Sequence, residues 1–311
     1  MQPLMPFLEA DGVTEICINQ PGELFVEKGG KFSRHEVPEL EYGFLEALTA
    51  LVAEFNSKDF PASLVSGSLL NGERIQCVLP PATETNKIVC SIRRHQRREM
   101  TLDDYDQNGT FTNWTVNHYA AEGSEMRLRN LYQNKDIPAF IKLAIESRKN
   151  VLISGGTGTG KTTFLNACLR CVPEHERLIT VEDTREVIAQ QANTVHLLFN
   201  EEDEQITSLN IFKASLRLRP DRIFLSELRG AEVWPYLRAA NSGHPGSLST
   251  VHADTPEGAI TQMVFMMQQA GSNSTEEQIR QYIKSIIHVV IQLKRDPDPQ
   301  RFMRVEQVLY M

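Results

Sequence analysis

The chain has 311 residues, of which 41% are hydrophobic and 23% are charged, so it has the composition of a globular protein with more than one core. Its formal net charge of -8 argues against a protein that coats DNA or RNA, although a local basic patch is compatible with that total. No apolar run approaches the roughly 18 residues that span a bilayer. The segment from Met1 to Asp11 lacks the basic and apolar regions of a secretory signal. We therefore expect a cytoplasmic protein of two domains.

The first half of the chain has the pattern of an α+β domain. Short apolar runs bounded by turn residues predict five strands, at residues 13–18, 23–27, 31–37, 72–79 and 87–93. Between the third and fourth strands, apolar residues recur at helical spacing from Leu40 to Phe55. We place this N-terminal domain at residues 1–110.

The second half alternates helix and strand. Mostly polar residues at 111–136 are expected to connect the two domains and to be partly helical. From Ile137 onwards, the pattern predicts a mostly parallel sheet with helices on both faces, which makes residues 137–311 an α/β domain. The predicted elements are a helix at 138–147, a strand at 151–154, a helix from 161, strands at 178–181 and 223–225, a capped helix from 274 to 287, and a terminal hairpin of 288–294 with 301–310.

The strongest chemical signal is a glycine-rich segment between a predicted strand and a predicted helix. Glycines let backbone N–H groups turn towards phosphates, and the N-terminus of the following helix adds positive potential. In the pattern G-x-x-x-x-G-K-T, the lysine reaches the β- and γ-phosphates and the threonine hydroxyl binds Mg²⁺. We expect these residues to bind the nucleotide: Gly155, Gly156, Thr157, Gly158, Thr159, Gly160, Lys161, Thr162 and Thr163.

The cofactors that this loop predicts are ATP and Mg²⁺. GTP finds no support, because Asn134-Lys135-Asp136 precedes the loop and lacks the Asn-Lys-x-Asp spacing of GTPases. Thr162 is the first candidate ligand for Mg²⁺.

Acidic residues follow two of the predicted strands. Glu182, Asp183 and Glu186 follow or end the strand at 178–181, and Glu227 follows the strand at 223–225. The carboxyl ends of parallel strands lie beside the ligand crevice, where a carboxylate can orient or deprotonate an attacking water. One of these acids could instead cap a helix, or the group could form a solvated loop.

The same acids are candidates for the Mg²⁺ site. Ser226 stands where many phosphate-loop enzymes place an aspartate, so Glu227 is expected to act on Mg²⁺ through metal-bound water. Glu182 and Asp183 are further candidate ligands.

Two histidines, His244 and His252, lie in a glycine-rich stretch at residues 242–253. A lone histidine is more often structural. One that follows a short strand can instead donate a hydrogen bond to the γ-phosphate and so distinguish the triphosphate from the diphosphate.

These four elements, in this order, resemble the secretion ATPase superfamily, whose members are hexameric motors of type IV secretion, type II secretion, type IV pili and archaeal flagella. Besides the phosphate loop, the resemblance is carried by residues 179–186, 219–229 and 243–253. In the first half of the chain, residues 13–23, 72–83 and 91–93 are similar to the type IV secretion branch.

The resemblance implies a RecA-like phosphate-loop ATPase domain that follows an N-terminal α+β domain. It implies a catalytic role for Glu186, a Walker B role for Glu227 and a His-box role for His252. It also implies that Arg74 and Arg93 reach the γ-phosphate from the N-terminal domain. Without the resemblance, the run at residues 93–98 is typical of a solvated basic surface.

At the level of the machine, the resemblance implies a homohexamer that couples ATP hydrolysis to the assembly of a type IV secretion system and the export of protein or DNA. The expected partners are inner-membrane components and the other ATPases of that machine. The expected location is cytoplasmic, with peripheral association at the inner membrane.

Three alternatives are weighed against this interpretation. The first is a type II secretion or type IV pilus motor; the secretion motors usually carry a four-cysteine zinc element after the His box, and no cysteine follows Cys171. The second is a nucleic-acid translocase, which would need a basic channel, so direct nucleic-acid binding is not supported. The third is a nucleotide-gated scaffold without turnover, against which the acids at 182, 183, 186 and 227 argue.

Overall fold

The computed structural model describes residues 1–94, 101–112, 123–298 and 301–311. Within these residues the strands form two separate sheets, of six and seven strands. Each sheet belongs to one half of the chain, as the sequence predicts. No helix in the described ranges combines the length and the apolar character needed to cross a membrane.

The N-terminal sheet is antiparallel throughout and has the strand order β3-β2-β1-β6-β5-β4. Leu45, Leu48 and Val52 recur at helical spacing and bury one face of a helix against this sheet. The elements are a 3-10 turn (Gln2–Leu4), α1 (Met5–Leu8), β1 (Val13–Ile18), β2 (Glu23–Lys28), β3 (Lys31–Glu36), α2 (Tyr42–Phe55), β4 (Leu64–Ser68), β5 (Arg74–Val78) and β6 (Val89–Arg93).

The connection between the sheets contains two helices, α3 (Leu102–Gln107) and α4 (Gly123–Gln133). Leu128 of α4 is fully buried with Phe140 and Ile145 in the core of the second domain. This helix falls inside the range that the sequence analysis gives to the connection. We therefore propose that the second domain begins near Gly123 rather than at residue 137.

The second sheet has the strand order β13-β12-β7-β11-β10-β8-β9. Its strands pair in parallel except for the antiparallel hairpin of β12 and β13, which confirms the predicted mostly parallel α/β domain. The elements are α5 (Ile137–Glu146), β7 (Val151–Gly155), α6 (Lys161–Leu169), β8 (Leu178–Glu182), β9 (Thr194–Leu198), α7 (Ser208–Ser215), β10 (Arg222–Leu225), α8 (Val233–Asn241), β11 (Leu248–Val251), α9 (Pro256–Gln269), α10 (Glu276–Ile286), β12 (Val289–Arg295) and β13 (Met303–Tyr310).

Helices cover both faces of this sheet. On one face, α4, α5 and α6 enclose a core that includes Phe140 and Leu165. On the other face, α7 to α10 enclose a larger core that includes Phe212 and Tyr236. The strands are buried on both sides, which explains why β7, β8 and β10 have continuous apolar runs in the sequence.

The two domains meet through an apolar contact, in which Val78, Ala82 and Val89 join the core of the second domain, and through polar side chains. The buried Arg177 at the start of β8 donates from Nη1 to Oδ1 of Asn19, at 2.7 Å, and from Nε to the carbonyl of Leu218, at 2.9 Å. Arg219 donates from Nε to Oε2 of Glu27, at 3.1 Å.

His288 of the second domain makes the stability of the folded state depend on pH. The backbone N–H of Asn150 donates to Nδ1 of His288 at 3.0 Å, and burial lowers the pKa of this imidazole from 6.5 to about 4. As the pH falls from 6.5 towards 4, the unfolded chain therefore binds this proton before the folded chain does. The stabilising contribution of neutral His288 is present above that window and is lost through it.

We predict that His288→Gln weakens the pH dependence of stability, because it removes this titration. The measurement is the thermal unfolding temperature at pH 7 and at pH 5, and the difference between the two should be larger for the wild type than for the variant. The matched control is His175→Gln, at an exposed histidine that leaves the buried imidazole in place. Equal differences for the wild type and His288→Gln would contradict the prediction.

Candidate functional site

The glycine-rich loop lies between β7 and α6, as the sequence predicts. Gly158 and Gly160 have φ values of 68° and 81°, in the left-handed region that favours glycine. A Cβ atom at Gly158 would meet the guanidinium of Arg295, and one at Gly160 would meet Met303. Both of these neighbours belong to the β12–β13 hairpin, so the hairpin packs directly against the loop.

The first turn of α6 is suited to bind an anion. Its N-cap is Gly160, and no side chain caps the helix, so the backbone N–H groups of that turn point into the loop. Lys161 lies beside them, with Nζ at 2.9 Å from the carbonyl oxygen of Gly155 and at 3.1 Å from that of Gly156. Partial burial and the charge of Arg229 lower the pKa of Lys161, against the opposing charge of Glu227.

A single cleft at the carboxyl edge of the second sheet, here called the phosphate-loop cleft, collects most of the predicted site. Strands β8, β10 and β11 end at this edge beside β7, because all four run parallel. The residues that line the cleft are 157–163 of the loop, Asp183, Thr184, Glu186, Ser226, Glu227, Arg229, Thr250, His252 and Phe302.

Glu227 is the centre of a charged network in this cleft. Its Oε1 lies 2.9 Å from Nε2 of His252, and its Oε2 accepts from Nε of Arg229 at 2.8 Å. His252 also places Nδ1 at 3.3 Å from Nζ of Lys161, so the ring lies between the loop lysine and Glu227. Arg229 reaches Oδ2 of Asp183 at 2.9 Å, and its hydrogen bond to Glu227 raises its pKa.

Glu182 has a role that the sequence analysis did not predict. Its side chain is fully buried and accepts from the backbone N–H groups of Glu186, at 2.8 Å, and Val187, at 2.7 Å. Thr180 donates to the other oxygen at 2.6 Å. Burial acts to raise the pKa of Glu182, but hydrogen bonds from His196, Thr180 and the two N–H groups lower it overall.

The geometry gives no support to the expectation that Glu182 binds Mg²⁺, because one carboxylate oxygen holds the following loop and the other accepts from Thr180. Asp183, the next residue, does line the cleft, but one of its oxygens is paired with Arg229. Among the described residues, no cluster of three or more histidine, cysteine or acidic side chains is arranged to hold a metal.

The loop that carries Glu186 is held from two sides. Glu182 binds its backbone from the end of β8, and Nδ2 of Asn166 on α6 donates to the carbonyl of Glu186 at 3.1 Å. The side-chain oxygen of Asn166 also accepts from the N–H of Ile188 at 2.8 Å. Glu186 itself is exposed and lines the phosphate-loop cleft.

Arg74 and Arg93 lie in a different cleft, here called the arginine cleft. They are direct neighbours across β5 and β6, and Lys58 and Arg217 add to the positive charge around them. Arg93 pairs with the buried Glu15 at 2.9 Å. Among the described residues, the arginine cleft and the phosphate-loop cleft share no lining residue. The basic residues Arg97 and Arg98 lie outside the described ranges.

Three residues of the site have roles that the sequence analysis did not assign: Asn166, Arg229 and Phe302. Arg229 was noted only as part of a motif, although its position two residues after Glu227 was a usable signal. Asn166 has no such signal, since its role depends on the contact between α6 and the loop after β8. Phe302 reaches the cleft only because the terminal hairpin folds back over the phosphate loop.

Comparison with known proteins gives concordant results. A sequence model of the family described as "Type II/IV secretion system protein" matches residues 119–308. The "Type IV secretion system protein VirB11" of Bartonella henselae is 34% identical over 95% of this chain and 88% of its own length. The "Type IV secretion system protein PtlH" of Bordetella pertussis is 32% identical over 100% of this chain and 94% of its own.

A solved structure extends the likeness to the fold. The crystal structure of the VirB11 ATPase from the Brucella suis type IV secretion system, in complex with sulphate, is similar with a TM-score of 0.94 and 32% identity. That match covers 100% of this chain and 96% of the other. With half of the chain matched by the family model, and with relatives above 30% identity along nearly all of it, this chain belongs to the Type II/IV secretion system protein family.

Proposed function

We propose that this chain is an ATP-hydrolysing motor subunit of a type IV secretion system. The observation that carries the proposal is the single cleft in which a phosphate loop faces Glu186, Glu227 and His252. The type IV secretion branch is supported by the relatives from Bartonella and Bordetella, whose names place them there and which align along both domains.

The phosphate loop supplies the binding residues for ATP. The N–H groups at the start of α6 and the ammonium of Lys161 are the donors for the phosphate oxygens. On this account, Lys161 exchanges its contacts with the carbonyls of Gly155 and Gly156 for phosphate oxygens. Thr162 provides a hydroxyl for Mg²⁺, which when bound neutralises charge on the β- and γ-phosphates. Glu227 would hold that ion through water, because both of its oxygens already have protein partners.

Glu186 is the proposed general base. Its loop is fixed by Glu182 and Asn166, while its own carboxylate is exposed in the cleft, where it can take the proton of an attacking water. His252 bridges Lys161 and Glu227, so its hydrogen bonds change when Lys161 moves onto a phosphate. This connection gives His252 the role of a sensor of the γ-phosphate.

The arginine cleft is proposed to serve the nucleotide of a neighbouring subunit. Arg74 and Arg93 line a cleft that shares no described lining residue with the phosphate-loop cleft, and arginines on a domain without a phosphate loop are suited to stabilise developing phosphate charge. A closed ring of head-to-tail subunits presents such a cleft to the next subunit at every interface. We propose that this ring is a homohexamer.

The partners and location follow from the proposed machine. We propose that the ring works beneath inner-membrane components and beside the other ATPases of the secretion system, as a cytoplasmic protein attached peripherally to the inner membrane. The acidic net charge of -8 favours attachment through protein partners over attachment to anionic lipid, and it argues against direct nucleic-acid binding.

The role of Glu186 is tested by Glu186→Gln. We expect this variant to bind ATP as the wild type does, because the phosphate loop is unchanged, and to lose turnover by a factor of about 10²–10⁴. Binding is measured with a fluorescent nucleotide and turnover by phosphate release with Mg²⁺ present. Lys161→Ala serves as the blank, and Glu202→Gln, at an exposed acid, serves as the matched control. Turnover of Glu186→Gln near the wild-type rate would remove Glu186 from the mechanism.

The role of the arginine cleft is tested by Arg74→Ala. Removing one charge that stabilises the transition state should lower kcat by about 10²–10³ with little change in KM. Arg74 is a cleaner test than Arg93, because Arg93 also neutralises the buried Glu15. The control is Arg34→Ala, an arginine of the same sheet whose partner is Glu23. A wild-type kcat in Arg74→Ala would show that the cleft has no part in hydrolysis.

A further inference from the structure

The β5–β6 hairpin touches two places that matter for hydrolysis. Arg74 of β5 faces Arg93 of β6 at its open end, inside the arginine cleft. The closed end of the hairpin is the loop at residues 79–88, which joins β5 to β6 and contacts the second sheet. Strands of five residues are about 17 Å long, so one short antiparallel unit joins the two contacts.

The closed end of the hairpin is paired with the edge strand β9. The N–H of Leu198 donates to the carbonyl of Ala82 at 2.9 Å, and Thr83 forms an antiparallel bridge with Leu197. The hydroxyl of Thr83 also donates to the carbonyl of His196 at 3.0 Å. Backbone pairing of this kind fixes the hairpin loop to β9, whose other neighbour is β8 with Glu182 at its end.

A side-chain contact then connects the hairpin to the catalytic loop. Oε1 of Glu84 lies 3.6 Å from Nε of Arg185, the residue directly before Glu186. Arg185 also places Nη2 at 2.7 Å from Nε2 of His196, and Nη1 at 3.8 Å from the buried Glu182 carboxylate. Arg185 therefore joins a carboxylate of the N-terminal domain to the carboxylate that holds the backbone of Glu186.

We propose that Glu84 and Arg185 are positioning residues, which make turnover by Glu186 depend on where the β5–β6 hairpin lies. This inference rests on the proposed role of Glu186. When Arg74 and Arg93 close on the nucleotide of a neighbouring subunit, the same hairpin carries Glu84 with it. The loop of Glu186 in its own subunit then shifts through Arg185, and one rigid hairpin couples two nucleotide sites of the ring.

The Glu84–Arg185 contact is suited to this role and poorly suited to holding the fold together. The two side chains are 29% and 33% exposed, so solvent screens their attraction and its effect on stability is small. Glu84 has a second partner in Lys87, at 2.6 Å, within its own loop. Loss of the Arg185 contact thus leaves Glu84 paired with Lys87, so no lone charge results.

The test is a double-mutant cycle with Glu84→Gln, Arg185→Gln and the double variant in the full-length protein. Each single variant should lower kcat about fivefold, with the affinity for a fluorescent nucleotide and the unfolding temperature unchanged. Because the two residues act through one contact, the double variant should be no slower than Arg185→Gln alone. The control is Lys87→Gln, which removes the other partner of Glu84 and should keep the wild-type kcat.

Two outcomes would overturn the inference. If Glu84→Gln has a wild-type kcat, or if the two substitutions act additively, the contact does not position the loop. Glu186→Gln separates this failure from that of the proposed function. If Glu186→Gln keeps its turnover, both the proposed function of Glu186 and the positioning role are contradicted. If Glu186→Gln is inactive while Glu84→Gln is fully active, only the positioning role is contradicted.

Discussion

Parallel pairing of β7, β8, β10 and β11 determines where this protein can perform chemistry. Val251 pairs with Ser154, and Leu225 pairs with both Val181 and Ser249, so the four strands end at nearly the same level. Each strand delivers one part of the cleft from a distant part of the chain. The phosphate loop follows β7, the loop of Glu186 follows β8, Glu227 follows β10 and His252 follows β11. A shift in the pairing register of any of these strands would move the group that follows it away from the other groups of the cleft.

At the carboxyl edge of the second sheet, neighbouring acidic residues have different roles. Glu182 is buried, ionised and bound to backbone N–H groups, so it positions its loop and takes no part in the cleft. Glu186, four residues later, is exposed and has its carboxylate available for a proton. Glu227 lies between these extremes, held by His252 and Arg229. Three carboxylates of the same type thus differ in function because their surroundings differ.

Much of the fold and part of the site could be predicted from the sequence, and the failures have physical causes. The sequence places the phosphate loop and Glu227 at strand ends because each follows an apolar run, and it singles out His252 because a histidine follows a short strand in a glycine-rich stretch. The role of Glu182 in holding its loop was not predicted, because a strand end predicts the edge of the sheet but not the backbone groups that a side chain meets there. Strand β9 was missed, since its five residues alternate in burial and contain a histidine. Nor can a sequence tell that Arg74 and Arg93 line a separate cleft from the phosphate loop of their own chain.

The central claim is that neighbouring subunits complete each other's sites, and mixed rings of two inactive chains test it most directly. One chain carries Glu186→Gln and the other carries Arg74→Ala, and the two are mixed one to one so that subunits exchange. If the arginines act on a neighbour, an interface that joins the intact Glu186 of one chain to the intact Arg74 of the next is active. About a quarter of the interfaces then have this composition, and the mixture should regain about that share of wild-type hydrolysis. A mixture as inactive as its parents would mean that the arginines serve their own chain, and it would contradict the account.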